Sequence, residues 1–446
     1  MNLERVQRGL VAAVAATCLV SIFAAEIFLA LAASIYLARL VRGSARLEHL
    51  PLDGPLLAFT VWSILSAAFA PDPLAAHRSV KQLVLFSLLY LAVDTLRDEE
   101  VRERVVDAAL LGGVVLAAGA IQQYLFLGFD TIQHRPRSFL GHYMTASGLV
   151  MGVLVLAAAR LAFRRGSVPR PSPRDLRALG IVMGALVILT LFQRADLFAV
   201  EAERLFVAAL SAAAAAMVLS RGSWPDRTTG ALLALLAVPI CTAALLLSLT
   251  RNAWLGTLAG LVTLAFLRAP KALWLLPVGA AALLVLGPAR VIDRLTVTDA
   301  SSRDRYYMWQ AGVDMIRDKP VFGQGPRMIQ AVYPAYRWPE APNLMTPHLH
   351  NNALQIAAER GLPCLVWWLW LVAAVLGDAW RELRRGAFGA GWAAAAAFAL
   401  LVAVLVAGLF EYNFGDSEIL MFLLLVSSLP YALRRQRVAV AAAARA

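Results

Sequence analysis

Apolar segments long enough to cross a membrane alternate with short polar segments along most of the chain. Runs of about 17–22 apolar residues recur, and each can span a hydrocarbon core about 30 Å thick as an α-helix. The pattern predicts an all-α polytopic membrane protein, a bundle of about 12–14 transmembrane helices. The predicted spans are residues 9–25, 27–41, 55–70, 79–96, 105–127, 142–163, 176–192, 200–219, 228–249, 252–267, 271–289, 361–380, 389–410 and 417–433.

One polar segment, residues 290–360, interrupts this pattern. Connections in a helical bundle only need to turn the chain around, so an excursion of this length predicts a large folded loop outside the membrane. We therefore divide the chain into an N-terminal bundle (1–289), this loop (290–360), and C-terminal helices with a tail (361–446).

Local signals predict that the loop is mostly helical. Serines typical of an N-cap precede one periodic segment, and proline and glycine end it. The predicted helices are Arg303–Lys319, capped by Ser301 and Ser302; Arg327–Tyr336; and a third that starts at Pro347, carries His350 and ends at Gly361.

The basic charge follows membrane topology. The chain is 60% hydrophobic and 16% charged, with a net charge of +12. With the N-terminus in the cytoplasm, about 25 Lys/Arg fall on the cytoplasmic side and about 7 outside, once those in the long loop are left out. Both termini are therefore predicted in the cytoplasm and the loop outside. Nucleic-acid binding is disfavoured, because topology already accounts for the charge.

His350 is the leading candidate for acid–base chemistry. It is predicted at a helix start on the outer membrane surface, where a neutral imidazole can take a proton from a hydroxyl near neutral pH. The alternative is an ordinary surface histidine. His348, two residues earlier, is interpreted as a spacer or a loop contact.

Arginines on the outer side are candidates for binding a phosphate. Arg251 lies in a tight outer hairpin, where a guanidinium opposes the positive-inside rule and its planar group suits a phosphate. Arg303 and Arg305 open the first loop helix, where positive side chains oppose the helix dipole unless an anion is bound. The alternatives are a snorkelling arginine at Arg251 and plain surface charge at the other two.

Further residues of the predicted outer side could line the same site. Aromatic side chains can stack on sugar rings, although in loops they also form small cores. No Asp-x-Asp element or metal-like histidine spacing stands in the loop, so no metal is predicted, and arginines would have to neutralise a bound diphosphate. The further candidates are Arg135, Arg137, His142, Tyr333, Tyr336, Arg337 and Trp338, together with Glu411, Asp416 and Glu418, whose role the sequence leaves open.

Three motifs in order resemble the O-antigen ligase and polymerase superfamily of bacterial envelope glycosyltransferases. The resemblance is strongest over residues 245–370. One departure stands at Cys364, where the ligase pattern has Gly, Thr or Tyr. The motifs are Thr250-Arg251 before Trp254-Leu255-Gly256, then Ser302-Arg303 to Trp309 continuing through Pro320 to Pro326, then His350-Asn351 followed by Gly361.

The resemblance implies an enzyme of the bacterial inner membrane with its active site on the periplasmic side. It implies inverting, metal-independent transfer of a glycan from undecaprenyl diphosphate to a sugar hydroxyl of lipid A–core, without a cofactor. His350 would be the base, and Arg251 and Arg303 would hold the diphosphate. The apolar pair near residues 176–219 departs from the twelve helices that the family implies.

Two other functions remain open at the level of sequence. A polymerase or a protein O-oligosaccharyltransferase of the same superfamily would share the fold and the base but use another acceptor. A lipid-linked glycan flippase, which is not an enzyme, would bind the same diphosphate but would place its cations deep in a central cavity. The arginines at the outer rim favour the enzyme.

Overall fold

The computed structural model describes residues 3–47, 49–163, 227–274, 300–385 and 391–443, with the short pieces 277, 281 and 292–294. Within these residues the chain is helical and contains no strand. The predicted spans 176–192 and 200–219, and most of 271–289, lie outside the described residues.

The helices that the structure describes are numbered here in chain order. Short 3-10 helices at Val80–Phe86, Pro270–Trp274 and Asn413–Gly415 complete the described elements. The helices are α1 Leu3–Thr17, α2 Ile22–Val41, α3 Asp53–Ala68, α4 Pro73–Ser79, α5 Ser87–Thr95, α6 Glu99–Phe126, α7 Tyr143–Ala162, α8 Arg227–Leu247, α9 Arg251–Arg268, α10 Ala300–Asp318, α11 Ile329–Tyr336, α12 Asn352–Arg384, α13 Gly391–Ala407 and α14 Ser417–Ala443.

Six of the described helices are long and apolar enough to cross a membrane. They lie at Ile22–Val41, Glu99–Phe126, Tyr143–Ala162, Gly230–Leu247, Asn352–Arg384 and Ser417–Ala441. Two shorter apolar helices are α3 and α13. The predicted class, an all-α polytopic membrane protein, is confirmed. The total of 12–14 spans stays a prediction.

Five predicted spans match an observed helix to within three residues at each end: 55–70, 142–163, 228–249, 252–267 and 389–410. The predicted span 9–25 is wrong, because α1 already ends at Thr17 and α2 begins at Ile22. The predicted span 79–96 is a 3-10 helix followed by α5, and Gln82 of the 3-10 helix donates to the Gly415 carbonyl at 2.7 Å. The predicted span 361–380 is part of the longer α12, which begins at Asn352.

Small residues allow close packing in the centre of the bundle, as is common between membrane helices. Gly256 and Gly260 of α9 lie against Ala407 and Ala403 of α13, so the two helices run antiparallel. The start of α9 therefore lies at the same end of the bundle as the residues that follow α13. We call this end, which also carries α10 and α11, the loop end.

Arginine clusters lie at the opposite end. Arg381, Arg384 and Arg385 close α12, and Arg434 and Arg437 lie in the last part of α14. Both clusters are thus separated from the loop end by the length of the bundle.

The 300–351 segment has a small core of its own, packed on the start of α12. Its buried residues are Met308, Ala311, Met315, Ile329, Tyr333, Leu349 and Ala358. The first two predicted loop helices correspond to α10 and α11, but the predicted cap is wrong, because α10 already includes Ala300 and Ser301 and Ser302 therefore lie within the helix. The prediction that Pro347 starts a third helix carrying His350 is wrong, because α12 begins only at Asn352 and His350 precedes it.

Candidate functional site

His350 and Glu411 form a hydrogen-bonded pair at the loop end. The His350 Nδ1 atom lies 2.8 Å from Glu411 Oε2, and the Glu411 side chain is 9% exposed. The His350 backbone has a φ of 51°, in the left-handed region that non-glycine residues seldom adopt. Such a conformation persists only where surrounding contacts enforce it, which is common at functional sites.

Two asparagines fix the His350 turn to the segment that carries Glu411. Asn351 caps α12, because its side chain accepts a hydrogen bond from the Leu354 N–H, and its Nδ2 donates to the Leu409 carbonyl at 3.1 Å. The Asn352 N–H donates to the Gly408 carbonyl at 2.8 Å. The residues that follow His350 are therefore bound to the residues that precede Glu411 by two hydrogen bonds.

Leu349, on the other side of His350, is held by both of its backbone polar groups. Its N–H donates to Gln355 Oε1 at 2.7 Å, and its carbonyl accepts from the Trp309 indole N–H at 3.0 Å. The Leu349 side chain is fully buried. The position of His350 is thus set from α10 and α12 at once.

A glycine kink in α12 joins two of the sequence motifs in space. Gly361 has φ 81° and ψ 167° and interrupts the helix. The N–H groups of Gln324 and Gly325 donate to the carbonyls of Ala358 and Glu359 at 2.8 and 2.7 Å, and the Leu362 N–H donates to the Pro320 carbonyl. The Gly323-Gln324-Gly325 turn therefore packs into the kink of α12.

Buried Glu359 connects this kink to the His350 turn. Its Oε1 accepts from Gln355 Nε2 and from the Arg327 N–H, each at 2.8 Å, and its Oε2 accepts from Arg360 at 2.9 Å. Since Gln355 also accepts from Leu349, one polar chain runs from the kink to the residue before His350.

Electrostatics keep Glu411 ionised and His348 neutral. Burial alone raises the pKa of the Glu411 carboxyl, but the hydrogen bond with His350 and electrostatic interactions with the two neighbouring imidazoles outweigh it, so this pKa lies below its ordinary value. Burial lowers the pKa of His348 to about 4. An ionised Glu411 favours the proton on His350 Nδ1 and leaves Nε2 with a lone pair that can accept a proton.

Arg251 lies at the loop end, as the antiparallel packing of α9 on α13 requires. Its Nε donates to the Arg294 carbonyl at 2.6 Å, and Arg294 Nε donates in turn to the Leu249 carbonyl at 3.3 Å. Each of these two guanidinium groups therefore binds a backbone carbonyl in the segment of the other arginine, at the turn between α8 and α9. Arg294 was absent from the sequence-based candidates, since nothing in its own neighbourhood distinguishes it.

The two arginines of α10 face different directions. Arg305 lies about 40° around the helix from Trp309, whereas Arg303 lies about 120° away. Trp309 and Gly312 contact Leu349, and the charge of Arg305 acts on His348. The structure therefore brings Arg305 to the His350 turn, while Arg303 is exposed. The assignment of the diphosphate to Arg303 stays a prediction.

His142 lies on the same side of the site. Its Nδ1 accepts from the Met144 N–H and caps α7. Burial lowers the pKa of His142, and the charges of Glu411 and Asp416 oppose that change. The Arg137 backbone N–H donates to Gln123 at 2.9 Å, which holds this loop on the end of α6.

The aromatic candidates of the loop serve the fold of the 300–351 segment. The Tyr336 hydroxyl donates to Asp318 at 2.5 Å, and the Trp338 indole N–H donates to Asp314 at 3.1 Å. Arg337 donates to the carbonyls of Ala341 and Asn343. Trp338 is still 40% exposed, so stacking of a sugar on its ring stays a prediction.

The sequence alone leaves the role of Glu411 open, because Glu411 is 61 positions from His350 and no local pattern links the two. Only the packing of α13 against α9 and α12 brings the two together. His348 lies beside this pair. Each of the three side chains offers one nitrogen or oxygen atom that could bind a metal ion, and these atoms all lie within 4.8 Å of one another.

Comparison with known proteins adds one finding. No curated protein matches the chain. Residues 232–369 match the sequence model of a family described as O-antigen ligase. The match contains Arg251, Arg305, His350 and Gly361, and Glu411 lies beyond it. Over residues 232–369, about a third of the chain, the protein is therefore similar to the O-antigen ligase family.

Proposed function

We propose that the protein transfers an O-antigen-type glycan from undecaprenyl diphosphate to a sugar hydroxyl of lipid A–core. The observation that carries the proposal is the His350–Glu411 pair, at 2.8 Å, whose histidine lies within the residues that match the O-antigen ligase family. A histidine oriented by a buried carboxylate is the arrangement that general-base chemistry needs.

The proposed reaction has one displacement step. Glu411 holds the Nδ1–H of His350, and His350 Nε2 takes the proton of the acceptor hydroxyl. The acceptor oxygen forms a bond to the anomeric carbon, on the face opposite the diphosphate. The bond between that carbon and the phosphate oxygen breaks, and its electron pair leaves with undecaprenyl diphosphate. The anomeric configuration is inverted, and no cofactor is needed.

Arginines at the loop end would stabilise the charge that develops on the leaving diphosphate. Preorganised cations directed at a developing anion lower the barrier without further reorganisation. Arg251 beside Arg294, and Arg305 beside the His350 turn, are placed for this role. Arg303 would contribute if the donor reached around α10.

The proposed setting is the bacterial inner membrane, with both termini in the cytoplasm and the site on the periplasmic side. The separation of the arginine clusters of α12 and α14 from the loop end supports this orientation through the positive-inside rule. The lipid tail of the donor would enter between helices, while its diphosphate stays at the bilayer surface.

The alternatives differ in the acceptor or in the absence of chemistry. A polymerase or a protein O-oligosaccharyltransferase would use the same base. The departure at Cys364 does not favour either, because Cys364 is buried and its Sγ lies 3.8 Å from Ser63 Oγ in the contact between α3 and α12. A flippase would have no use for a buried histidine–carboxylate pair at the rim.

Reconstitution in lipid vesicles tests the proposal. The purified chain is supplied with an undecaprenyl-diphosphate glycan and lipid A–core, and the products are separated by mass. We expect glycan on lipid A–core. Longer lipid-linked chains would instead indicate a polymerase, and movement of the donor across the bilayer with no new glycosidic bond would indicate a flippase.

Substitutions of the arginines test which of them bind the diphosphate. We expect Arg251→Gln and Arg305→Gln each to lower kcat/KM for the donor by about 10- to 100-fold, the loss of a charge-assisted contact. Arg303→Gln, on the same helix as Arg305 but on the exposed face, is the matched control and is expected to have a smaller effect. A larger loss of kcat/KM in Arg303→Gln than in Arg305→Gln would assign the diphosphate to Arg303 instead of Arg305.

A further inference from the structure

Three potential metal-ligand atoms lie close together, one each from His348, His350 and Glu411. His350 Nδ1 lies 2.8 Å from Glu411 Oε2, and His348 Nε2 lies 3.5 Å from Glu411 Oε1. The two imidazole rings are 4.2 Å apart at nearly perpendicular angles. All three ligand atoms lie within 4.8 Å of one another.

These separations fit a transition-metal ion. Ligand atoms around tetrahedral Zn²⁺, at bond lengths of about 2.0–2.2 Å, are themselves about 3.3–3.6 Å apart. Small rotations of the three side chains would convert the observed group into a three-ligand site with a fourth position for water. Two imidazole nitrogens with one carboxylate suit Zn²⁺ or Co²⁺, whereas Mg²⁺ and Ca²⁺ prefer oxygen ligands throughout.

The charge and rigidity of the group also favour a cation. Glu411 supplies a negative charge in a largely buried position, 9% exposed, between two imidazoles. Contacts already described hold His350 and Glu411 in place without a metal, so little ordering would accompany binding. The backbone of His348 is also held in place, since the Thr346 hydroxyl donates to the His348 carbonyl at 2.8 Å.

We propose that the protein binds Zn²⁺ at His348, His350 and Glu411, and that this ion inhibits glycan transfer. The inhibitory part rests on the proposed function. A metal on His350 Nδ1 displaces the proton from that atom, and a neutral imidazole then carries its proton on Nε2. The lone pair that would accept the proton of the acceptor hydroxyl is thereby lost. Zn²⁺ also neutralises Glu411, which orients the ring.

Metal binding is measured directly, without the reaction. Co²⁺ is added to the full-length protein in detergent, and its visible absorption, intense for tetrahedral sites with nitrogen ligands, is followed to saturation. We expect one Co²⁺ per chain, displaced by Zn²⁺. His348→Ala and His348→Gln are expected to weaken binding about tenfold or more. His134→Ala, which removes an exposed histidine also at the loop end, is the matched control and should bind as the wild type does.

Inhibition is measured in the vesicle assay, with each variant compared with its own rate in the presence of a chelator. We expect micromolar Zn²⁺ to abolish wild-type transfer reversibly, and His348 variants to need about tenfold more. The absence of Co²⁺ binding in a protein whose transfer depends on His350 would overturn this inference and leave the proposed function intact. Co²⁺ binding without any transferase activity would refute the function instead. Loss of activity in chelator, restored by Zn²⁺, would overturn the inhibitory role.

Discussion

His350→Ala is expected to lower kcat for glycan transfer by about 10²- to 10⁴-fold, the usual contribution of a general base. Glu411→Gln is expected to lower it by about 10²-fold or more through a different cause. The glutamine side chain has nearly the same shape, but its NH₂ group would donate to His350 Nδ1 and leave the ring proton on Nε2. The base would then be present in the wrong tautomer, as when the carboxylate of a Ser-His-Asp triad is replaced by an amide.

The measurement is the initial rate of lipid A–core glycosylation at saturating donor, with the thermal unfolding of each variant recorded beside it. The control is Glu340→Gln, which removes an exposed carboxylate of the same 300–351 segment. It is expected to keep the wild-type rate. A Glu411→Gln protein that folds normally and transfers glycan at the wild-type rate would remove Glu411 from the mechanism.

Helix positions were predictable from the sequence because membrane-spanning helices are defined by length and hydrophobicity alone. The spans predicted at 142–163 and 252–267 differ from α7 and α9 by one residue at each end. The start of α12 was not predictable in this way. Pro347 is a good first residue of a helix, yet the cap is Asn351, whose two side-chain hydrogen bonds reach Leu354 and Leu409.

The candidate site was predictable only in part, because its contacts join distant segments. His350 and Arg251 each lie in a recognisable local sequence. Glu411, the partner of His350, lies in the loop after α13 and has no such local signal. The choice between Arg303 and Arg305 depends on which face of α10 meets Leu349, and the sequence pattern of that helix does not specify it. The glycines of the motifs were visible in the sequence, but their mutual contact was not.

Gly361→Ala is expected to destabilise the folded protein by about 2–4 kcal/mol and to abolish transfer. A backbone at φ 81° and ψ 167° is essentially restricted to glycine, and forcing another residue into it costs about 1–3 kcal/mol. A β-carbon there would also overlap the carbonyl of Val321, which is backbone and cannot rotate away. Relief of that overlap would separate the 320–325 turn from α12 and withdraw the hydrogen bond that Glu359 accepts from the Arg327 N–H.

The test compares thermal unfolding in detergent with transfer in vesicles, and the same helix supplies the control. Gly377 lies in regular α-helix, and the nearest atom to an added β-carbon is 3.8 Å away, at the flexible end of Arg381. Gly377→Ala is therefore expected to be neutral or to stabilise by up to about 1 kcal/mol. If Gly361→Ala were as stable and as active as Gly377→Ala, the kink would not position His350, and the His350-Asn351 and Gly361 elements of the motif would have separate roles.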